Sequence, residues 1–225
     1  MEKFSRDYLD ERCIGSFRTA KGTRPDLKLI DLDGSKTVLK DFHHSDPWFR
    51  AIVGPILIRR EYGALQKLAE VDGIPELCGM IDRHALLMSH VDGVPLRDLE
   101  LNAMGLEFYD QLEDLVSRMH AAGVAHCDLR TGTNVLVDKD GKPNIIDFAS
   151  CVFRGRGLNP FIRFIFREFQ RADLFATLLL KKRMSPALLT AEDEAAIARS
   201  LPFERAAIFI GKSIRNLVRG MLTRR

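Results

Sequence analysis

Residues His126 to Ala149, HCDLRTGTNVLVDKDGKPNIIDFA, constrain this 225-residue chain more than any other stretch. Val135-Leu136-Val137 and Asn144-Ile145-Ile146 are short β-type runs, and between them Asp138-Lys139-Asp140-Gly141-Lys142 carries the Asp-Gly of a tight turn. A hairpin is predicted, with Asn134 entering its first strand and Asp147 leaving its second, so both side chains come to one end. Asp128 stands just upstream. A hard Mg²⁺ ion takes oxygen ligands such as a carboxylate and an amide carbonyl, and a carboxylate beside a hydroxyl can act as its base. Singly, each residue is an ordinary turn former. As a set, Asp128, Asn134 and Asp147 suit phosphoryl transfer.

The order of these residues is also familiar. His126-Cys127-Asp128-Leu129 resembles the H-R-D-L catalytic loop of protein kinases, and Asp147-Phe148-Ala149 resembles their D-F-G. The resemblance implies that Asp128 accepts the proton of an acceptor hydroxyl, that Asn134 and Asp147 hold metal, and that His126 and Phe148 pack to position the loop. One departure is visible. Asn134 follows Asp128 by six residues where the family pattern has five, and the extra residue falls in Arg130-Thr131-Gly132-Thr133.

Upstream, Cys13 to Arg18, Leu27 to Leu32 and Lys36 to Phe42 read as three strands, the last two joined at Asp33-Gly34. Thr37-Val38-Leu39-Lys40 is similar to the kinase V-A-I-K strand, which implies that Lys40 meets the nucleotide phosphates. The glycine-rich loop of that family is absent. Gly15 to Pro25 stands in its place, where backbone amides and the side chains of Thr19, Lys21, Thr23 or Arg24 could meet phosphates. Lys21, Gly22 and Thr23 are the foremost candidates. Asp46-Pro47 signals a helix start, Gly54-Pro55 is expected to interrupt it, and a second amphipathic helix is predicted from about Ile56 to Glu70. Glu61 on that helix follows Lys40 at about the kinase spacing, which implies that it orients the lysine. The apolar, aromatic and basic run from Trp48 to Arg60 either packs on the small lobe or lies in a membrane interface. Leu86 to Gly93 reads as a strand ending in a turn and resembles the kinase hinge, with Met88 as gatekeeper and Ser89 and Val91 against adenine.

A helical stripe of Phe108, Leu112, Leu115, Val116 and Met119 predicts a helix to Ala122, ended by Gly123. His120 reads as structural. After Ala149 there is neither an A-P-E motif nor a long activation segment. Asn159-Pro160 opens a long helix from about Phe161 to Arg183, with Arg163, Arg167 and Arg171 on one stripe beside Phe161, Ile165, Phe169 and Phe175. Kinases carry on a lobe-central helix an aspartate that anchors the catalytic-loop backbone, and the resemblance makes Asp173 on this helix the candidate for that role. A further helix is expected after a capping Thr190, and a last one from about Phe203 to Leu222.

Hydrophobic residues make up 46% of the chain and charged residues 29%, as in a soluble globular protein. Cys13, Cys78, Cys127 and Cys151 show no C-x-x-C spacing, so neither a zinc site nor a disulfide framework is indicated. No signal-peptide core or bilayer-length apolar run is present, and a cytoplasmic location is expected. The charge is uneven: residues 151–225 hold fifteen Lys and Arg against six Asp and Glu, net +9, leaving nineteen against twenty-five, net −6, before them. The basic third is either a solvated face or a surface for an anionic partner, such as the inner face of the cytoplasmic membrane.

Taken together, an α+β, two-lobed protein-kinase-like fold is expected, with a small antiparallel sheet lobe (residues 1–91), one helix-rich lobe (92–225) and a truncated activation segment. The missing segment makes the chain similar to the RIO-type atypical kinases and to bacterial lipopolysaccharide-core (Kdo/heptose) kinases. The resemblance implies an ATP- and Mg²⁺-dependent phosphotransferase acting on a protein hydroxyl. The alternatives are a membrane-presented sugar of lipopolysaccharide or glycolipid as acceptor, and a pseudokinase that binds nucleotide or serves as a scaffold. Nucleic acid is not among the expected partners.

Overall fold

At Asp33 and Gly34 the backbone takes positive φ, 53° and 87°, the left-handed pair that a two-residue hairpin turn demands. That turn folds β2 (Asp26–Leu32) onto β3 (Ser35–Asp41) in unbroken antiparallel register, from Leu32 opposite Ser35 to Asp26 opposite Asp41. β1 (Cys13–Arg18) pairs with the other edge of β2, while β5 (Ala85–Ser89) lies along β3 and β4 (Leu77–Asp82) along β5. The result is a five-stranded antiparallel sheet in the order β1-β2-β3-β5-β4. The computed structural model describes residues 4–155 and 160–199.

One sheet face is covered by α2 (Gly54–Lys67), which buries Ile58, Ala64 and Leu65. The opposite face carries Leu9, Ile30, Leu39, Ile81, Ala85 and Leu87, closed by the short α1 (Arg6–Glu11). Arg6 pins α1 there by reaching the carboxylates of both Asp41 (2.7 Å) and Asp82 (2.6 Å). Neither α1 nor β4 is evident in the sequence: α1 spans six residues and buries one apolar side chain, and β4 contains Gly79 and pairs with register shifts.

The break expected at Gly54-Pro55 does not occur. Helical backbone runs from residue 47 into α2, with Phe49–Val53 wound as a π-helix. Pro55 lacks an N–H and its ring crowds the carbonyl one α-turn back. The wider π turn absorbs this, and Gly54 N–H reaches back to the Phe49 carbonyl. The helix ends at Lys67, three residues earlier than expected. In the Trp48–Arg60 run, Ile58 is buried and Phe49 packs on the core, while Trp48, Ile52 and Ile56 are exposed.

The second lobe is built on α3 (Leu106–Ala121) and α4 (Pro160–Met184), which pack on each other. Two small sheets complete it: β6 (Gly93–Pro95), β8 (Val135–Asp138) and β9 (Pro143–Ile145) form one, β7 (Val124–Ala125) and β10 (Val152–Phe153) the other. The hairpin predicted from the Asp-Gly turn is thus β8–β9, with Val135 opposite Ile145. A single connected core runs from Phe42, Ile58 and Leu86 in the sheet lobe to Leu112, Val135 and Leu180 below. Each such aliphatic or aromatic side chain stabilises the fold by about 1.5–3 kcal/mol on burial.

α4 buries Phe166, Asp173, Ala176, Thr177, Leu180 and Met184. That differs from the apolar stripe expected there: Phe161 and Phe169 are exposed, and the aromatic first half of the helix projects beyond the core. Thr190 caps the next helix, residues 191–199, by accepting the Asp193 N–H at 3.1 Å. Asn159 and the helix expected from Phe203 to Leu222 lie outside the described residues. No helix among the described residues is long and apolar enough to cross a membrane.

Candidate active site

β3 delivers Lys40 to the interior face of the sheet, and α2 places Glu61 across from it. Lys40 Nζ lies 2.6 Å from Glu61 Oε2 and 2.9 Å from Asp147 Oδ1. Both members of the first pair are sealed from solvent, with Glu61 at 1% exposure, whereas Asp147 is open to the cleft. Burial alone would lower the Lys40 pKa, but the two carboxylates outweigh it and hold the ammonium charged. Burial lifts the Glu61 carboxyl while Lys40 pulls it back. Lys40 holds the Asp147 carboxyl below its ordinary range.

Asp147 sits in the left-handed region, with φ 65° and ψ 73°. That conformation is costly for a non-glycine residue and clusters at functional sites. Here the Lys40 bond and a further one, in which Asp147 Oδ1 accepts the Ala149 N–H at 3.4 Å, hold it.

The catalytic-loop candidate is fixed from behind. Asp173 on α4 accepts the backbone N–H groups of His126 (2.6 Å) and Cys127 (2.8 Å), and its carboxylate also meets His120 Nε2 at 3.0 Å. His126 Nδ1 accepts the Asp128 N–H. That ring nitrogen is therefore unprotonated, and Nε2–H donates to the Ile146 carbonyl at 2.9 Å. The His126 ring packs edge-on to Phe148, centroids 4.9 Å apart. Cys127 takes positive φ, 69°, which turns the chain so that Asp128 emerges at the surface. Burial pushes the Cys127 thiol far up and the Cys151 thiol up to about 11, so neither offers a thiolate.

The extra residue between Asp128 and Asn134 is accommodated at Gly132. Its φ is +71°, and a Cβ there would stand 3.0 Å from Leu180 Cδ2, so only glycine fits without displacement. Arg97 N–H donates to the Gly132 carbonyl and the Arg183 guanidinium to that of Thr131. Looped out in this way, the insertion leaves Asn134 Nδ2 donating to the Asp128 carbonyl at 2.9 Å. Asn134 Oδ1 is then the atom left for a ligand.

Lys40, Glu61, Asn134 and Asp147 line one cleft of about 380 Å³ together with Val38, Met88, Ser89 and Val91. The hinge candidates and the charged groups thus share one cleft. The cleft is walled by aliphatic side chains above (Leu27, Val38) and below (Leu136, Ile146), which suits a flat, partly apolar ligand with an anionic end. Asn134 and Asp147 offer two hard oxygen donors, which would suit a Mg²⁺ ion that takes its other ligands from phosphate and water. Among the described residues no group of three His, Cys, Asp or Glu forms a cage for a metal by itself.

Three sequence candidates lie elsewhere. Lys21, Gly22 and Thr23 are absent from the cleft wall, because the β1–β2 loop is tied to the β3–α2 connection. Asp46 N–H donates to the Gly22 carbonyl (2.8 Å), Ser45 Oγ to that of Arg24 (2.9 Å), and Asp26 Oδ1 accepts the Ala20 N–H (2.6 Å). Phe17 and Arg18 line the cleft from this side instead. Sequence alternation along β1 gave no sign that both would.

A family model described as RIO domain matches residues 35–157. The probable serine/threonine-protein kinase KKQ8 of Candida glabrata is 38% identical over 84 residues, which is 36% of this chain and 10% of that protein. Among solved structures, the Rio2 kinase of Chaetomium thermophilum superposes with a TM-score of 0.60 at 19% identity, over 82% of this chain and 62% of that one. Its ADP/Mg²⁺-phosphoaspartate complex gives 0.59 at 19% identity, over 82% and 60%. The chain spans about three-fifths of those Rio2 chains and a tenth of KKQ8. These likenesses bear out the two-lobed kinase fold.

Proposed function

Since this chain belongs to the RIO domain family, we propose that it is an atypical serine/threonine kinase-like enzyme, moving the γ-phosphate of ATP to an acceptor hydroxyl. The observation that carries this reading is the junction of β3, α2 and the Asp147 turn at Lys40, with Glu61 at 2.6 Å and Asp147 at 2.9 Å in one cleft wall. Such a junction sets a cation at fixed depth beside a metal-ligand carboxylate, the arrangement that positions polyphosphate. The ADP/Mg²⁺ complex of the structurally similar Rio2 kinase supports ATP and Mg²⁺ as ligands.

In this mechanism Ser89 and Val91 hold the adenine at the hinge. Lys40, oriented by Glu61, binds the phosphates. Asn134 Oδ1 and the Asp147 carboxylate would hold Mg²⁺, which when bound would supply positive charge beside the phosphoryl oxygens. Asp128, exposed and accepting from Asn134 Nδ2 through both its carbonyl (2.9 Å) and its Oδ2 (3.3 Å), takes the proton of the acceptor hydroxyl. His126, locked as a neutral tautomer between Asp128 and Ile146, aims that carboxylate.

A second reading of the acceptor is favoured by α4. Its first turns expose Phe161 and Phe164 beside Arg163 and Arg167, a combination that suits an anionic membrane interface and a sugar presented there. The experiment that tests both is transfer from γ-labelled ATP into a lysate separated into protein, lipopolysaccharide and small-molecule pools. Label in protein supports the first reading and label in lipopolysaccharide the second. Label in none of the pools refutes the assignment as a transferase and leaves the pseudokinase.

A further inference from the structure

Lys40 is shared by two carboxylates, and the β1–β2 loop is folded away from the cleft. A polyphosphate in this cleft therefore needs a second cation from another source. In a regular strand successive side chains point to opposite faces, so Phe17 and Arg18 should not both face the ligand. The β1–β2 ladder, however, shifts register at this point. Ser16 pairs with Lys28 and Arg18 with Leu27, two steps along β1 against one along β2. The extra residue is a bulge, a device that re-aims side chains at a strand end.

Both Phe17 and Arg18 consequently line the cleft. Phe17 stacks on the hinge residue His90, ring centroids 5.5 Å apart and planes 8° from parallel. Arg18 donates Nε–H to the Pro25 carbonyl at 3.2 Å. That bond fixes the guanidinium plane and uses one of five N–H donors, leaving both Nη groups for a ligand. Among the described residues no carboxylate hydrogen-bonds Arg18; burial, with Arg24 nearby, lowers its pKa, and the charges of Asp147 and Glu61 offset that in part.

We propose that Arg18, re-aimed by the β1 bulge, binds the polyphosphate of the nucleotide in place of a glycine-rich loop. A planar guanidinium suits this task because it meets phosphate oxygens with two parallel N–H bonds. The proposal rests on the reading of the cleft as a nucleotide site. It also explains why that site can do without a glycine cradle: the cation comes from the strand itself and needs no mobile loop.

The test is calorimetric titration of Mg-ATP and of adenosine into the wild-type protein and into Arg18→Gln and Arg18→Lys. Arg18→Gln is expected to weaken ATP by roughly tenfold to a hundredfold, the range for one charge-assisted contact, and adenosine by less than twofold. Arg18→Lys should recover part of the loss. ATP affinity within twofold of wild type in Arg18→Gln overturns the proposal while leaving the nucleotide site intact. Equal losses of ATP and adenosine overturn it too, since they mark a structural role for the Pro25 bond. A wild-type protein that binds neither ligand overturns the site and the proposal together. A second measurement needs no variant: inorganic tripolyphosphate, but not adenosine, should protect Arg18 from an arginine-directed dicarbonyl reagent, read by mass spectrometry. Unprotected Arg18 contradicts the assignment.

Discussion

Asp173 Oδ2, on α4, accepts the His126 backbone N–H at 2.6 Å across 47 residues of sequence. The helix that follows the short segment after Asp147 is thereby also the mooring of the catalytic-loop candidate. With residues 148–159 as the whole connection between Asp147 and α4, loop geometry depends on a buried carboxylate. No activation-loop phosphorylation enters the account.

Removing that carboxylate should be expensive. Asp173→Ala strands two backbone N–H groups and His120 Nε2 in the interior, and a stability loss of about 3 kcal/mol is expected. Asp173→Asn keeps one acceptor oxygen and should lose about 1–2 kcal/mol. Urea denaturation gives the totals, and hydrogen exchange at residues 126 and 127 should quicken in both variants. Unchanged exchange at those amides would show that the loop is held by something else.

Lys40→Met separates stability from pH dependence. Lys40 holds the Asp147 carboxyl below its ordinary range. The pair therefore stabilises the fold fully above the unfolded value of about 3.9 and loses that stability as pH falls through the lower folded value. Below about pH 4 the wild-type urea midpoint should fall more steeply than that of Lys40→Met. Equal acid slopes would mean that Asp147 does not feel Lys40. At neutral pH the variant's unpaired Glu61, already lifted by burial, can take up a proton, which limits the damage to the fold.

Gly132→Ala probes the inserted residue. A left-handed φ of +71° and a Cβ 3.0 Å from Leu180 should together cost about 1–2 kcal/mol. If Asn134 depends on this turn, turnover should fall further than the stability loss explains. A melting temperature equal to wild type would show that the loop has room that the close approach of Leu180 denies.

Much of this site was legible because its residues come in short, locally patterned runs. The β8–β9 hairpin announces itself through Asp140-Gly141, and Lys40, Glu61 and Asp147 meet as the kinase resemblance implied. Asp173 could be singled out because the kinase resemblance implies an anchoring aspartate on a helix of the second lobe. The features that escaped depend on tertiary context. The π turn at Phe49–Val53 rescues a Gly-Pro that reads as a break, since nothing local states that a wider turn is available. α1 is too short for a periodic signal, and it is held by Arg6 reaching Asp41 and Asp82. Lys21, Gly22 and Thr23 were plausible by composition, yet hydrogen bonds to residues 26, 45 and 46 decide where their loop lies. Arg18 faces the cleft through a register shift with no sequence signature.

As proposed above, Asp128 is the base of a phosphotransferase whose nucleotide site is built on Lys40, Glu61, Asn134 and Asp147. The most direct test of this proposal is Asp128→Asn, assayed for phosphate transfer from ATP and, in parallel, for ATP binding. Asp128 is exposed and absent from the cleft wall, so ATP affinity should stay within about twofold of wild type, while transfer falls by about two to four orders of magnitude. Transfer that persists at the wild-type rate in Asp128→Asn contradicts the account.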